Sequence, residues 1–593
     1  MVDTAQAPLQ RRVPDLAMRN RGTRRVPSRR KRIAKFSRGL GLSVLAVIGG
    51  PACAQLVEPP ETGAAGTETA VGPARVPGGA ATGRLFEPAP SPIGFRPLAV
   101  GIPRKWTVTP SVGVEVTFTD NATLSPPAEA ESDVFFDVYP GIVITGGTPR
   151  LDLDIAYTGQ ASYSAKGTLS SEYFNNLEAY TRITGIENFF YVEASAVVST
   201  QYISALAPRP LNAEAEPANR AEGRSAQVSP YIQGFLPGAE IAYTVRYSYA
   251  TTVLKEQVDD GTPLPTSNTN QWIGHLAGPL GRTFAWGLDY FSSAVSWDNQ
   301  PVDQEYQRYL GTVYYQIDPF VTVSASAGRE WNNFDLVGQW YTDYGGGVRW
   351  RPFARTQVAG TVMKRFFGTG YDFVFNHRTH GTAWSLVANK NIATYSDVAF
   401  AAPGGSTRAL LDAALTAQIG DPIERRAAVN RLIAQAGVSP LQANQSSFFT
   451  EAVTLEKQAV GSFAVIGARN TLTFSAYARE WRPIGQLSVV DPDDEFAAAD
   501  RQTEVGAGIA FNHRLTPRTS LSAVLSSSIV RSFTGAVQLE KATQNTALLT
   551  LSTQLGPKTT GFIGLRYQRF DTKPSDDPPA TEHAILVGAS YVF

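Results

Sequence analysis

The last eleven residues of the 593-residue chain, His583 to Phe593, follow a period of two. His583, Ile585, Val587, Ala589, Tyr591 and the terminal Phe593 fall on one parity, and Glu582, Ala584, Gly588 and Ser590 on the other. Successive strand side chains point to opposite faces, so an apolar, aromatic-ended row beside a small and polar row describes a strand with lipid on one side and a lumen on the other. Such a strand cannot stand alone in a bilayer, because every backbone donor and acceptor there needs an internal partner and only a closed barrel supplies one. The alternation therefore predicts an all-β fold, a transmembrane outer-membrane antiparallel β-barrel. Tyr591 and Phe593 are expected to form a C-terminal assembly signal for barrel-folding machinery.

The same period runs through the chain. Val112, Val114, Val116 and Phe118 alternate with Ser111, Glu115 and Thr117; Phe190, Val192, Ala194 and Ala196 with Tyr191, Glu193 and Ser195. Ile241, Tyr243, Val245 and Tyr247 alternate with Glu240, Thr244 and Arg246; Leu472, Phe474 and Ala476 with Thr473, Ser475 and Tyr477. A soluble sandwich would share this pattern. Connection lengths separate the two readings: tight links at Gly146 to Pro149, Leu236 to Gly238, Asp318-Pro319, Thr516 to Arg518 and Gly556 to Lys558 alternate with long polar loops near 120–132, 199–223, 250–267, 481–499 and 571–580. Short at one end and long at the other is the outer-membrane layout, and it gives about 22 strands, within roughly 18 to 24, with both termini periplasmic.

The N-terminus agrees. Arg29 to Arg38 is basic, Gly39 to Gly50 is a short apolar run, and Ala52-Cys53-Ala54 is a small-x-small cleavage site, so residues 1–54 read as a secretory signal cut after Ala54. The run is too short for a transmembrane helix of about 20 residues. Pro51 and its neighbours argue against a lipoprotein cysteine, Arg29-Arg30 only faintly resembles a twin-arginine signal, and Met18 is a plausible alternative start. Residues 55–105, rich in Pro, Gly, Ala and Thr, read as a periplasmic linker, and 106–593 as the barrel.

Removing the signal changes the charge. It takes 12 of the 52 basic and 2 of the 52 acidic residues, leaving 40 against 50, so the mature chain is acidic. That argues against nucleic acid as a partner. The only cysteine leaves with it, so no disulfide or thiolate chemistry is expected.

One stretch breaks the period. Between about 392 and 445, Leu411, Leu415 and Ile419 lie at helical spacing before Gly420, and Asp421, Pro422 and Glu424 then make a second helix start. A helical-hairpin insert is expected on the extracellular side, as a surface decoration, a lid or a lumenal constriction.

Chemistry is sparse. His275, His377, His380, His513 and His583 form no metal spacing, no cofactor is called for, and no hydrolase-like Ser/His constellation is evident, so no enzyme is expected. The lumen parity is more informative. Glu115, Asp137, Asp152, Asp154, Glu178, Glu193 and Glu240 are expected to point inward from the early strands with Arg182 and Arg246; Arg308, Arg349, Arg365 and Arg479 do so from later ones. They form either a set of mutually paired interior charges or a polarised pore with an acidic wall facing a basic one.

An ordered set of short motifs completes the reading. Thr119-Asp120-Asn121, Leu124-Ser125, Ser132-Asp133, Tyr139-Pro140-Gly141, Arg365-Phe366-Phe367-Gly368, His377-Arg378-Thr379, Trp384 and Arg469-Asn470-Thr471-Leu472-Thr473 occur in this order. Over 105–593 the chain resembles the PEP-CTERM-system-associated outer-membrane barrels found beside exopolysaccharide clusters. That resemblance implies a barrel, a helical insert near this place and a context of exopolysaccharide export or surface assembly, with no catalytic residue. The partners then expected are outer-membrane lipid, the barrel-assembly machinery and polysaccharide or its export components. A general porin or solute-uptake channel and a non-conducting structural or adhesion barrel are the alternatives.

Overall fold

The computed structural model describes residues 104–169, 172–210, 219–238, 240–256, 264–280, 283–395, 448–485 and 494–593. The expected signal segment with Ala54, the linker up to 103, and the hairpin beyond Tyr395 lie outside the described residues.

The first strands are β1 Arg104–Thr119, β2 Asp133–Gly147, β3 Leu151–Ser164, β4 Glu172–Ile186, β5 Phe190–Tyr202, β6 Arg220–Phe235, β7 Ala242–Glu256 and β8 Ser267–Leu280. Next come β9 Phe284–Trp297, β10 Gln304–Gln316, β11 Val321–Asn332, β12 Gln339–Phe353, β13 Thr356–Arg365, β14 Gly368–Arg378 and β15 Thr382–Ala393. The last are β16 Thr454–Ile466, β17 Asn470–Pro483, β18 Arg501–Arg514, β19 Thr519–Thr534, β20 Val537–Gln554, β21 Thr559–Lys573 and β22 Ala580–Val592. Each pairs antiparallel with the next, and β1 pairs with β22 from Ser111↔Val592 to Thr119↔Ala584. The 22-stranded sheet is therefore closed. Even the shortest strand, β13 with 10 residues, is long enough for the 9–11 residues that cross a hydrocarbon layer.

Parity sorts the two faces as the alternation predicts. On β22, Ile585, Val587 and Tyr591 are exposed on the outside, whereas Glu582, Ala584 and Leu586 are buried toward the interior. Val114, Leu288, Val313, Leu549 and Leu565 continue the exposed apolar belt. Exposed aromatics edge it at both ends. Trp106, Phe284, Tyr315, Trp350, Trp384 and Tyr591 lie at the end with the short turns, and Tyr163, Tyr173, Trp340 and Tyr371 toward the opposite end. Amphipathic rings of this kind sit at the headgroup level of a bilayer. The end with short turns also carries the N-terminal end of β1 and the C-terminal end of β22, and in an outer-membrane barrel this is the periplasmic end.

Candidate functional site

With the strands in place, the inward-facing charges can be located one by one. Arg182 on β4 and Arg246 on β7 both reach Glu193 on β5, at 3.9 and 2.7 Å, and Tyr231 donates to the same carboxylate at 3.0 Å. The Arg246 guanidinium also lies 4.1 Å over the Tyr231 ring. Arg308 on β10 pairs with Asp343 on β12 at 2.6 Å, and Arg365 on β13 with Glu330 on β11 at 2.9 Å. Asp343 and Glu330 are fully buried, and a buried charge persists only when paired and hydrogen-bonded. Arg365 meets that condition with further bonds to the Tyr306 hydroxyl at 2.6 Å and Asn391 at 2.6 Å.

The early acids also sit on the inner face. Glu115 is the cross-strand neighbour of Asp137, which accepts a hydrogen bond from Gln160 at 3.1 Å. Asp152 lies opposite Arg182, Asp154 opposite Tyr180, and Glu178 opposite Ala156. Arg479 on β17 is buried and in register with Glu504 on β18. Arg349 on β12 faces inward toward the periplasmic end. Glu240 does not belong to this set. It is exposed in the turn before Ala242, because the chain reverses at Leu236-Pro237-Gly238 and β7 starts two residues after it; Gly238 takes the left-handed conformation (φ 75°) that such a turn requires. Parity carries no meaning outside a strand.

The partners Glu330, Asp343 and Glu504, and Arg566 of β21, which pairs with Glu582 of β22 at 2.7 Å, escaped the sequence reading, although each lies on the polar parity of its strand. The long loops gave less signal still. Several of them fold inward instead of standing above the membrane. The β5–β6 loop carries Ala205 and Leu206 into an apolar cluster with Leu124 of the β1–β2 loop, Phe448 and Ala452 before β16, Phe496 of the β17–β18 loop, and Trp481 of the wall. Phe449 and Tyr395 join Trp297 and Val197 in a second cluster. Burying these side chains against one another draws their backbones into the mouth.

Polar contacts fasten the loops. Arg209 crosses to Glu504 at 3.1 Å, and its backbone N–H donates to Gln544 Oε1 on β20 at 3.2 Å. The 203–210 segment is thus a strap from β5 to the wall of β18 and β20. Ser204 Oγ and Gln502 Nε2 both donate to Glu495 of the β17–β18 loop, at 3.2 and 2.7 Å. Burial pushes the Glu495 carboxyl up to about 7. Its neighbour Asp494 accepts from Thr450 Oγ1 at 3.0 Å and from the Glu451 and Phe496 N–H groups at 2.8 Å each. The buried Glu451 carboxylate in turn accepts from Asn299 and Gln300 of the β9–β10 loop, both at 2.7 Å.

Two of the quoted motifs serve this mouth. Asn121 Nδ2 donates to Ser125 O (2.7 Å) and Thr581 O (3.1 Å), which turns the β1–β2 loop and its buried Leu124 inward. In Arg365-Phe366-Phe367-Gly368, the Phe366 N–H donates to Glu330 at 2.7 Å, and Gly368 takes a left-handed φ of 97° that closes the turn between β13 and β14.

The histidines are scattered. His275 Nδ1 lies 2.6 Å from Asp289, His377 bonds Thr356, His513 bonds Asn470, and His583 pairs with Asp120. Among the described residues no group of three or more His, Cys, Asp or Glu is placed to hold a metal ion.

Closure, an aromatic-edged apolar belt and unequal ends together settle the class. The chain is an outer-membrane β-barrel. No family model matches it, and no curated protein does. Among solved structures it is similar to the ferric enterobactin receptor PfeA of Pseudomonas aeruginosa, at 10% identity and a TM-score of 0.39 over 82% of this chain and 80% of that one. The FrpB iron transporter of Neisseria meningitidis gives 9% and 0.35 over 82% and 81%. OccK3 (OpdO) of P. aeruginosa gives 9% and 0.29 over 82% and 95%.

Proposed function

We propose that this barrel is a gated conduit for polar, hydroxylated solutes, serving exopolysaccharide export or surface assembly. The observation that carries the reading is the division of labour inside the barrel. The wall is polar, with Arg246, Arg308 and Arg365 each paired to an acid two strands away, while the outer mouth is crossed by a strap held at Arg209 and Glu504. A barrel of this width with polar walls encloses space for a solute, and a crossing loop with a few fastenings is an element that can move. The exopolysaccharide context rests on the resemblance of the ordered motifs.

The test is single-channel conductance of the mature protein in planar bilayers, beside an Arg209→Ala/Gln544→Ala variant. Low or intermittent conductance that rises in the variant is expected. Silence in both proteins would sink the conduit and favour a scaffold. Loss of the barrel from its host should lower surface polysaccharide; unchanged polysaccharide with altered uptake of small solutes would favour a porin.

A further inference from the structure

Along the wall formed by β10 to β13, four arginines succeed one another from the outer mouth toward the periplasmic end, and their partners change on the way. Arg365 is paired to Glu330, and Arg308 to Asp343. Six residues below Asp343 on β12, roughly 20 Å along the strand at about 3.3 Å per residue, stands Arg349. Among the described residues no carboxylate lies within ion-pair distance of Arg349 or of Arg351, and the buried Arg349 Nε has no hydrogen-bond partner. The acid nearby on β9, Asp289, is taken by His275 at 2.6 Å.

Arg349 borders a recess of about 50 Å³ in the wall, lined also by Thr312, Tyr314, Thr322, Ser324, Ser326 and Thr361. Its floor is kept open by glycine. A Cβ on Gly347 would lie 2.6 Å from Thr361 Cγ2 and 3.0 Å from both Ser324 Oγ and the Gly360 carbonyl oxygen. A side chain at Gly347 would crowd Thr361 and Ser324, two of the residues that line the recess. The recess thus combines a flat floor, a row of hydroxyls on adjacent strands and one guanidinium without an acid. Eleven strands away, across the barrel, β1 and β2 present the acids Glu115 and Asp137.

We propose that this recess takes the carboxylate of an acidic saccharide unit whose ring lies on the lumenal side, with Arg349 holding the carboxylate and the hydroxyl row along the wall meeting the sugar hydroxyls. The guanidinium fork matches a carboxylate in two parallel hydrogen bonds. Partial burial strengthens that contact over its value in water. The hydroxyls supply donors and acceptors at strand spacing, which a ring of hydroxyls can use and a bare anion cannot. Arg351 adds positive charge below the site. The proposal deepens the conduit reading and rests on it for its role, whereas binding itself is measured independently.

The test titrates the full mature protein in detergent with trigalacturonate, with neutral maltotriose and with inorganic phosphate, by calorimetry. Trigalacturonate should bind saturably and about ten-fold or more tighter than maltotriose, the worth of one charged two-point hydrogen bond. Arg349→Gln should remove that margin, Arg349→Lys should restore part of it, and Ser324→Val should weaken the acidic sugar without abolishing the preference. Equal binding of the two sugars, or Arg349→Gln indistinguishable from the parent, would overturn the site. Phosphate binding as tightly as trigalacturonate would overturn its saccharide character. A silent barrel with Arg349-dependent binding refutes the conduit alone; a conducting barrel whose sugar binding ignores Arg349 refutes the site alone.

Discussion

Arg365 shows what a single interior residue does in this wall. Its guanidinium joins Glu330, Tyr306 and Asn391, on β11, β10 and β15, so one side chain ties together a quarter of the barrel. Removing it leaves Glu330, which is fully buried, without its counter-charge. Arg365→Ala should therefore cost about 3–5 kcal/mol, read as a lower urea midpoint for the folded barrel in lipid, and Glu330→Gln in the same background should recover part of the loss. A double variant no better than the single one would show that the pair is not coupled. Parity made such charges legible in the sequence as inward-facing, and Arg182, Arg246, Arg308 and Arg365 all point in. Which acid each would meet was not legible, since a partner one or two strands away depends on stagger between strands rather than on spacing within one.

The inward-folded loops are the element that most departs from what the sequence suggests. The long loops between strands are polar on the whole, yet Leu124, Leu206, Phe448 and Phe496 of these loops pack into one apolar cluster at the mouth. Glu495 makes this packing sensitive to pH. Its carboxyl, raised to about 7 by burial, binds a proton more tightly in the packed loop than in an open one, where it returns toward the ordinary carboxylate value of 4.5. The packed state is therefore fully favoured below 4.5 and loses that advantage as pH rises through about 7. Conductance should increase between pH 6 and about 8, and Glu495→Gln, which keeps a hydrogen-bonding side chain without the titration, should flatten the profile. A parent protein with a flat profile would remove Glu495 from any role in the gate.

At the scale of the whole molecule, stability in the membrane depends on the outer belt. Leu565 is exposed in mid-belt beside Leu549 and Ile585. Leu565→Arg should destabilise the folded barrel by about 2–4 kcal/mol, whereas a charge at Ser528, half-buried on the inward parity of β19, should be far milder. The check is heat-modifiable migration across a urea series; equal effects of the two substitutions would contradict the assignment of faces. Deleting Phe593, whose N–H donates to Pro110 O across the β1–β22 closure at 2.9 Å, should lower the yield of folded barrel.

The sequence by itself determined the class of fold, the approximate number of strands, the parity of each wall and the inequality of the two ends. All of these follow from period-two patterning and turn chemistry, which are local. Only the tertiary structure decided which charges pair, that Glu240 sits in a turn, that described parts of the long loops pack inward at the mouth, and that Arg349 stands beside a glycine-floored recess without an acid. Those outcomes depend on stagger between strands and on loops meeting across the lumen, from β5 to β18 and β20. No local pattern encodes distances between residues that are hundreds of positions apart.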